Sequence, residues 1–179
     1  MAIVQRIKGI CLKPKEEWRV IAGETSTPAG LFKGYVAPLA GIGAVAGFIG
    51  LLSVHAPLGT GLAGAVIWFA TAVVEVYALA LLIDLLAPKF GGEKNRSQAL
   101  KISAYSFTPA LVGGALLLIP SLWLLAVLAA LYGVYLLYLG LPQLMKSPPD
   151  RVAAYTLAVV ACAVGIFLVV NRVTGAIVG

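Results

Sequence analysis

This chain of 179 residues has little with which to do acid–base, metal or disulfide chemistry: seven acidic residues, one histidine and two cysteines. Cys11 and Cys162 are separated by four long apolar stretches, so neither a structural disulfide nor a metal site is expected between them. HExxH, GxSxG, P-loop and dinucleotide-loop patterns are all missing, and His55 has no nucleophile beside it in sequence. Catalysis needs an arranged constellation of such groups, so the sequence reads as a non-enzyme with no cofactor and no metal. Charge is scarce as well. With 61% hydrophobic and 11% charged residues and a mean hydropathy of +1.00, a water-soluble globule is excluded.

What is present in place of charge is a series of five apolar stretches, at about residues 35–54, 62–86, 102–119, 122–141 and 153–171. Each is long enough to cross the hydrocarbon of a bilayer. The thirteen basic residues alternate around them: six in residues 1–34, none in the first loop, four in the second, none in the third, two in the fourth and Arg172 last. The positive-inside rule converts this alternation into five crossings, N-terminus cytoplasmic and C-terminus outside. The fold class expected is an all-α integral membrane protein, with a cytoplasmic or interfacial amphipathic segment over 1–34 and a five-helix transmembrane domain over 35–179. The net charge of +6 is then a charge on the cytoplasmic face. Its basic residues lack interleaved aromatics, which argues against nucleic acid.

The first 34 residues mix six basic residues with Glu16, Glu17 and Glu24 and contain no continuous apolar core, so no cleavable leader is expected there. Ile3, Ile7, Ile10 and Cys11 recur at helical spacing, and a second short helix follows from Pro14, with Trp18 and Ile21 on one side and Gly23 at its end. Both helices are expected to lie in the membrane interface, Trp18 as an anchor. Arg6, Lys8, Arg19, Lys89, Lys94, Arg96 and Lys101 are then a face for lipid headgroups or a partner.

Small residues mark close helix packing. Gly43 and Gly47 stand in GxxxG spacing in the first span, Gly113 and Gly114 in the third, and Gly133 in the fourth. Pro120 and Ser121 leave room only for a tight hairpin between spans three and four. Pro109 is expected to kink span three and free a carbonyl near Tyr105, with Ser106 and Thr108 beside the kink.

A carboxylate in hydrocarbon costs several kcal/mol, so Glu75, near the middle of span two, must be neutral, paired or facing water. Thr71 and Ala72 share its helical strip, which points it into the bundle, with Thr71 or a backbone carbonyl as hydrogen-bond partner of a protonated carboxyl. Asp84 falls on the opposite side of the same helix, about 13 Å along the axis. It is expected to pair with a cytoplasmic Lys or Arg, or with a tyrosine of a neighbouring helix. Tyr132 is deep in span four, and Asp84, Ser106 or Thr108 are partners of the right kind for its hydroxyl. Glu75, Asp84, Tyr105, Ser106, Thr108, Pro109 and Tyr132 together form the candidate intramembrane polar site.

Three stretches carry a resemblance: PKEEW from Pro14, LAPKFGGEKNRSQALKISAYSFTPALV over residues 86–112, and LYGVYLLYLGLPQLMKSPPDRVAAYT over 131–156. Through them the chain resembles the bacterial branch of the Yip1 domain family over nearly its whole length. The resemblance implies five spans with a cytoplasmic N-terminus. Its eukaryotic relatives act in membrane trafficking with prenylated Rab-type GTPases and with one another. Those relatives carry DLYGP before the first span; here only DLLAP, at residues 84–88, is similar, and it follows span two. No GTPase-binding residue is therefore carried over. Asp84, Pro88, Phe90, Gly91, Gly92, Tyr105, Thr108, Pro109, Tyr132, Gly133 and Pro142 match the bacterial pattern, whereas Glu75 does not clearly belong to it.

Two functions are compatible with these features. One is a membrane scaffold or adaptor in the bacterial cytoplasmic membrane, its partners being the phospholipid bilayer, anionic lipids, further copies of itself and an unidentified protein. The other is a small channel or transporter for protons, cations or a small solute, with Glu75 and Asp84 in a polar path.

Overall fold

The computed structural model describes residues 3–53, 55, 57–118 and 122–178, and among these there is no strand. Two short helices open the chain, α1 (Ile3–Leu12) and α2 (Pro14–Gly23). Pro14 occupies the first turn of α2, where a missing N–H costs nothing, and Glu16 and Glu17 meet the positive end of the helix. Next, α3 (Pro28–Leu31) is capped by the Thr27 side chain, which accepts from the Gly30 N–H at 3.1 Å. A π-helical turn over Phe32–Val36 joins α3 to α4 (Ala37–Ser53), so the first crossing helix runs as one piece over Pro28–Ser53 and begins earlier than expected.

The long helix α5 (Leu58–Leu86) passes into a 3-10 turn at Ala87–Phe90. Gly91, at φ +73, ends that turn in the left-handed region, where glycine avoids the Cβ penalty. Asn95 then caps α6 (Arg96–Ser106) by accepting from the Gln98 N–H at 3.1 Å. After α7 (Thr108–Gly113) and a 3-10 turn over Gly114–Leu118 come α8 (Trp123–Leu144) and α9 (Pro149–Val178).

Among the described residues, four helical stretches are long and apolar enough to cross a membrane: Pro28–Ser53, Leu58–Phe90, Leu124–Leu144 and Pro149–Val170. The expected span over 102–119 forms α6 and α7, which meet at Phe107, and a 3-10 turn after α7. Phe107 keeps right-handed helical dihedrals; its N–H donates to the Ser103 carbonyl at 3.0 Å, and its carbonyl accepts from the Leu111 N–H at 2.9 Å. Pro109 lies in the first turn of α7 and brings no N–H to the Tyr105 carbonyl, so the helical ladder loses one bond there. The expected hairpin at Pro120 and Ser121 lies outside the described residues.

This segment is enclosed by its neighbours. Residues 99–106 of α6 are all buried, packed against α5 and α8, while α7 and the following 3-10 turn lie against α4 and α8. Glycines set the closest approaches. A Cβ on Gly133 would fall 2.7 Å from the Ser106 carbonyl oxygen, and one on Gly113 would fall 3.1 Å from the Ala129 Cβ. As residue numbers rise in one partner they fall in the other, so the segment runs antiparallel to α8. A Cβ on Gly114 would lie 3.3 Å from Gly43 Cα, and one on Gly43 would overlap the Trp68 indole. Gly47, the other half of the GxxxG pair, has nothing within 4 Å, so that strip packs the chain on itself through Gly43 alone.

Large apolar side chains such as Ile42 and Ile49 of α4, Val66 and Val74 of α5, and Leu128 and Leu131 of α8 are exposed, as required where lipid is the solvent. Gly133→Ala forces a methyl against backbone and is expected to cost about 1–3 kcal/mol. Gly47→Ala enters open space and should stay within about 0.5 kcal/mol of wild type. Thermal unfolding of the two purified variants in detergent checks the contrast.

Candidate functional site

The polar residues singled out in the sequence separate into three places. The first is the junction of the N-terminal helices with the bundle. Trp18 is fully buried, and a Cβ on Gly140 of α8 would lie 2.9 Å from its indole. Both short helices therefore turn their apolar faces onto protein, which corrects the expectation of an interfacial anchor. Arg6, 5% exposed, is paired with Glu17 at 2.5 Å and with Glu24, and lies 5.5 Å from the centroid of the Tyr105 ring. Burial works against its charge, but the hydrogen bond to Glu24 and the neighbouring Tyr105, Glu24 and Glu17 outweigh it and hold the guanidinium above its ordinary range. Lys101, 3% exposed, donates to the carbonyls of Ile21, at 3.1 Å, and Glu24. Arg6 and Lys101 thus leave the expected headgroup face: their charges are spent inside the protein, on the carboxylates and helix end that the N-terminal segment itself supplies.

Tyr105 joins this cluster to the spans, edge-on to both Trp18 and Tyr35. The Tyr35 hydroxyl is 2.7 Å from Thr108 Oγ1, and Thr108 in turn donates to the Ala104 carbonyl at 3.5 Å beside the Phe107 junction. The Tyr132 hydroxyl donates to the Cys11 carbonyl at 2.8 Å, not to Asp84, Ser106 or Thr108 as expected. A tyrosine reaches far from its Cα, and the inserted N-terminal segment brings an acceptor that the helix pattern could not place.

The second place is the loop end of α5. Asp84 is buried, with Oδ2 at 3.7 Å from Nε of Arg96 and Oδ1 without a hydrogen-bond partner. Arg96 is 85% exposed, so the pair contributes little. Tyr155 donates to the neighbouring Ile83 carbonyl and stacks on Phe90 at 5.1 Å. The Glu93 N–H donates to the Met145 carbonyl at 2.8 Å, and Ser147 to that of Phe90 at 3.2 Å. These bonds fasten the 87–95 loop to the α8–α9 connection.

The third place is a cleft in the membrane interior. Glu75 and Ser106 line a cavity of about 360 Å³ whose remaining walls are apolar, among them Phe107, Ala130, Leu137 and Val164. A second cavity, of about 420 Å³, continues past Thr71 and Trp68 and shares Glu75, Phe107, Ala110 and Phe167 with the first. Thr71 therefore flanks Glu75 as expected, but no hydrogen bond joins them; Glu75 Oε1 and Ser106 Oγ are both buried without a hydrogen-bond partner. Tyr105 and Ser106 are successive residues of α6, about 100° apart around its axis, so one faces Arg6 and the other this cleft. Asp84, Tyr105, Thr108, Pro109 and Tyr132 are not on the cleft walls.

The match to the Yip1 domain model extends over residues 8–171. The chain belongs to the Yip1 domain family. It is similar to the inner membrane protein YohC of Escherichia coli strain K12 and of strain O6:H1 CFT073. Each is 24% identical over 184 residues, covering 96% of this chain and 94% of the relative. No solved structure matches it. The relatives are named as inner membrane proteins, and this Yip1 protein, with several helices long and apolar enough to cross a membrane, is a protein of the bacterial cytoplasmic membrane; its family is not a known enzyme family.

Sequence reasoning missed Glu17, Glu24 and Tyr35 as partners in the junction and Phe107 and Phe167 in the cleft. The available signal was two acidic residues, Glu17 and Glu24, within helical-hairpin reach of Arg6. Arg6→Met in this Yip1 protein leaves Glu17, 14% exposed, and Glu24, 37% exposed, without their partner and is expected to cost about 1–3 kcal/mol. Part of that loss should return when Glu17→Gln is added. The measurement is thermal unfolding of the single and double variants, together with a red shift of tryptophan emission as Trp18 loses its cover.

Proposed function

We propose that this chain is a non-enzymatic membrane scaffold: a five-crossing bundle, N-terminus cytoplasmic and C-terminus outside, that gathers anionic phospholipid at its basic end. The observation that carries the reading is a division among its basic residues. Arg6 and Lys101 are consumed internally, whereas Lys8, Arg19, Lys89, Lys94 and Arg96 are exposed. They share one end of the molecule, because α2 packs at Gly140 of α8 and the 87–95 loop bonds to Met145, just beyond the end of that helix. Self-association and docking of a protein partner belong to the same reading, since a lipid-organising protein acts through neighbours.

A transport path through Glu75 and Asp84 has less support. The cleft walls contain Glu75 but not Asp84, and the two carboxylates serve different surroundings.

Exposed charge near an anionic surface contributes about 1 kcal/mol per Lys or Arg. Changing Lys8, Arg19, Lys94 and Arg96 together to Gln is therefore expected to reduce the preference for phosphatidylglycerol over phosphatidylcholine by at least about tenfold. Wild-type preference should also fall as salt is raised. Lipid-dependent thermal stabilisation of the purified protein reports both, and an undiminished preference in the fourfold variant removes the scaffold reading.

A further inference from the structure

The scaffold reading leaves the cleft unused, and its chemistry points elsewhere. Ser106 is only 4% exposed and its Oγ has no hydrogen-bond partner; Glu75 Oε1 is in the same condition, and both residues line one cavity. Buried polar atoms are ordinarily satisfied, and two unsatisfied ones lining one cavity mark a place where a ligand supplies what the protein does not. Cavities of about 360 and 420 Å³ that share Glu75, Phe107, Ala110 and Phe167 are of the size of small-molecule sites. Val164 and Phe167 of α9 are half-exposed where they line the cavity, so it opens on the side that faces lipid.

The walls decide the class of ligand. A carboxylate beside a hydroxyl repels an anion, which sets aside phospholipid headgroups with their phosphates. Among the described residues no group of three His, Cys, Asp or Glu can hold a metal ion. The apolar remainder of the walls would leave a hydrated ion without most of its shell. A group that donates hydrogen bonds and carries positive charge fits Glu75 and Ser106, and an apolar body fits the rest. The Phe107 ring on the shared wall adds a face on which a cation or an aryl group can rest.

We propose that the cleft binds a lipophilic amine taken up from within the bilayer, its ammonium held by Glu75 and Ser106 and its hydrocarbon or aryl body lodged among the apolar walls. Binding of this kind lets the carboxylate and the ammonium share the hydrocarbon as a neutral pair. It is independent of the basic face, and neutralising Lys8, Arg19, Lys94 and Arg96 leaves it unchanged.

The test uses the full chain in nanodiscs of zwitterionic lipid, with 1-naphthylmethylamine as the probe, 1-naphthylmethanol as its neutral counterpart, and empty discs to subtract partitioning. Saturable binding of the amine, roughly tenfold tighter than the alcohol, is expected from a hydrogen bond to a charged group. Glu75→Gln should abolish that discrimination, and Ser106→Ala should weaken amine binding by a smaller factor. Val164→Trp, at the lipid-facing rim, fills the cavity without touching any charge and should weaken both probes. Equal binding of amine and alcohol by wild type, undiminished amine binding in Glu75→Gln, or the absence of saturable binding overturns the proposal. If Glu75→Gln fails to fold, the rim variant decides, since full-strength binding there places the probe outside the cleft.

Discussion

A backbone carbonyl freed inside a packed bundle has to be covered by protein, and the packing of this chain is organised around the junction at Phe107, where Pro109 leaves the Tyr105 carbonyl without its helical N–H. The helix before it, α6, is enclosed by α5, α8 and the N-terminal segment. Gly133 lets α8 come down onto the Ser106 carbonyl, and Gly43 lets α4 reach the 3-10 turn after α7. Thr108 turns its hydroxyl to the carbonyl of Ala104, and Tyr35 holds Thr108 in place. The small residues of the spans thus serve a local need, close cover for the junction of α6 and α7, more than a general affinity between helices.

The last turn of α6 faces two environments. Tyr105 faces the N-terminal hairpin, where Arg6 is neutralised by Glu17 and Glu24 and where Lys101 closes the end of α2. Ser106, one residue later, belongs to the cleft with Glu75. Buried ion pairs of this kind add less stability than their number suggests, because desolvation offsets most of the attraction. Their role here is positional: they fix the hairpin on the bundle and leave the remaining cations for the surface.

Membership of the Yip1 family, with relatives named as inner membrane proteins, fits a molecule whose outer surface is apolar and whose exposed charge is concentrated at one end. The fastening of the FGG loop to the α8–α9 connection gives a physical reason for residues of the family pattern. Gly91 needs its left-handed conformation, Phe90 its stack on Tyr155, and Gly92 room beside the Met145 carbonyl, 2.9 Å from where a Cβ would stand. None of these residues touches the cleft, so the loop reads as structure and the cleft as a separate feature of this chain.

Composition and charge alternation alone determined the all-helical membrane class, the positions of four long apolar helices and the basic end, because hydrocarbon thickness and the cost of buried charge act on each segment independently. The strip containing Glu75 and Thr71 was legible for the same reason, since helical periodicity turns spacing into direction. The fate of the individual charges was decided only by tertiary structure. Arg6 and Arg19 stand in the same kind of amphipathic helix, yet one is buried and paired and the other exposed. That difference depends on how two short helices dock on α6 and α8, a contact among residues distant in sequence. The junction at Phe107 was likewise half legible: Pro109 announced a lost hydrogen bond, but the cover that α5, α8 and the N-terminal segment give it comes from residues distant in sequence.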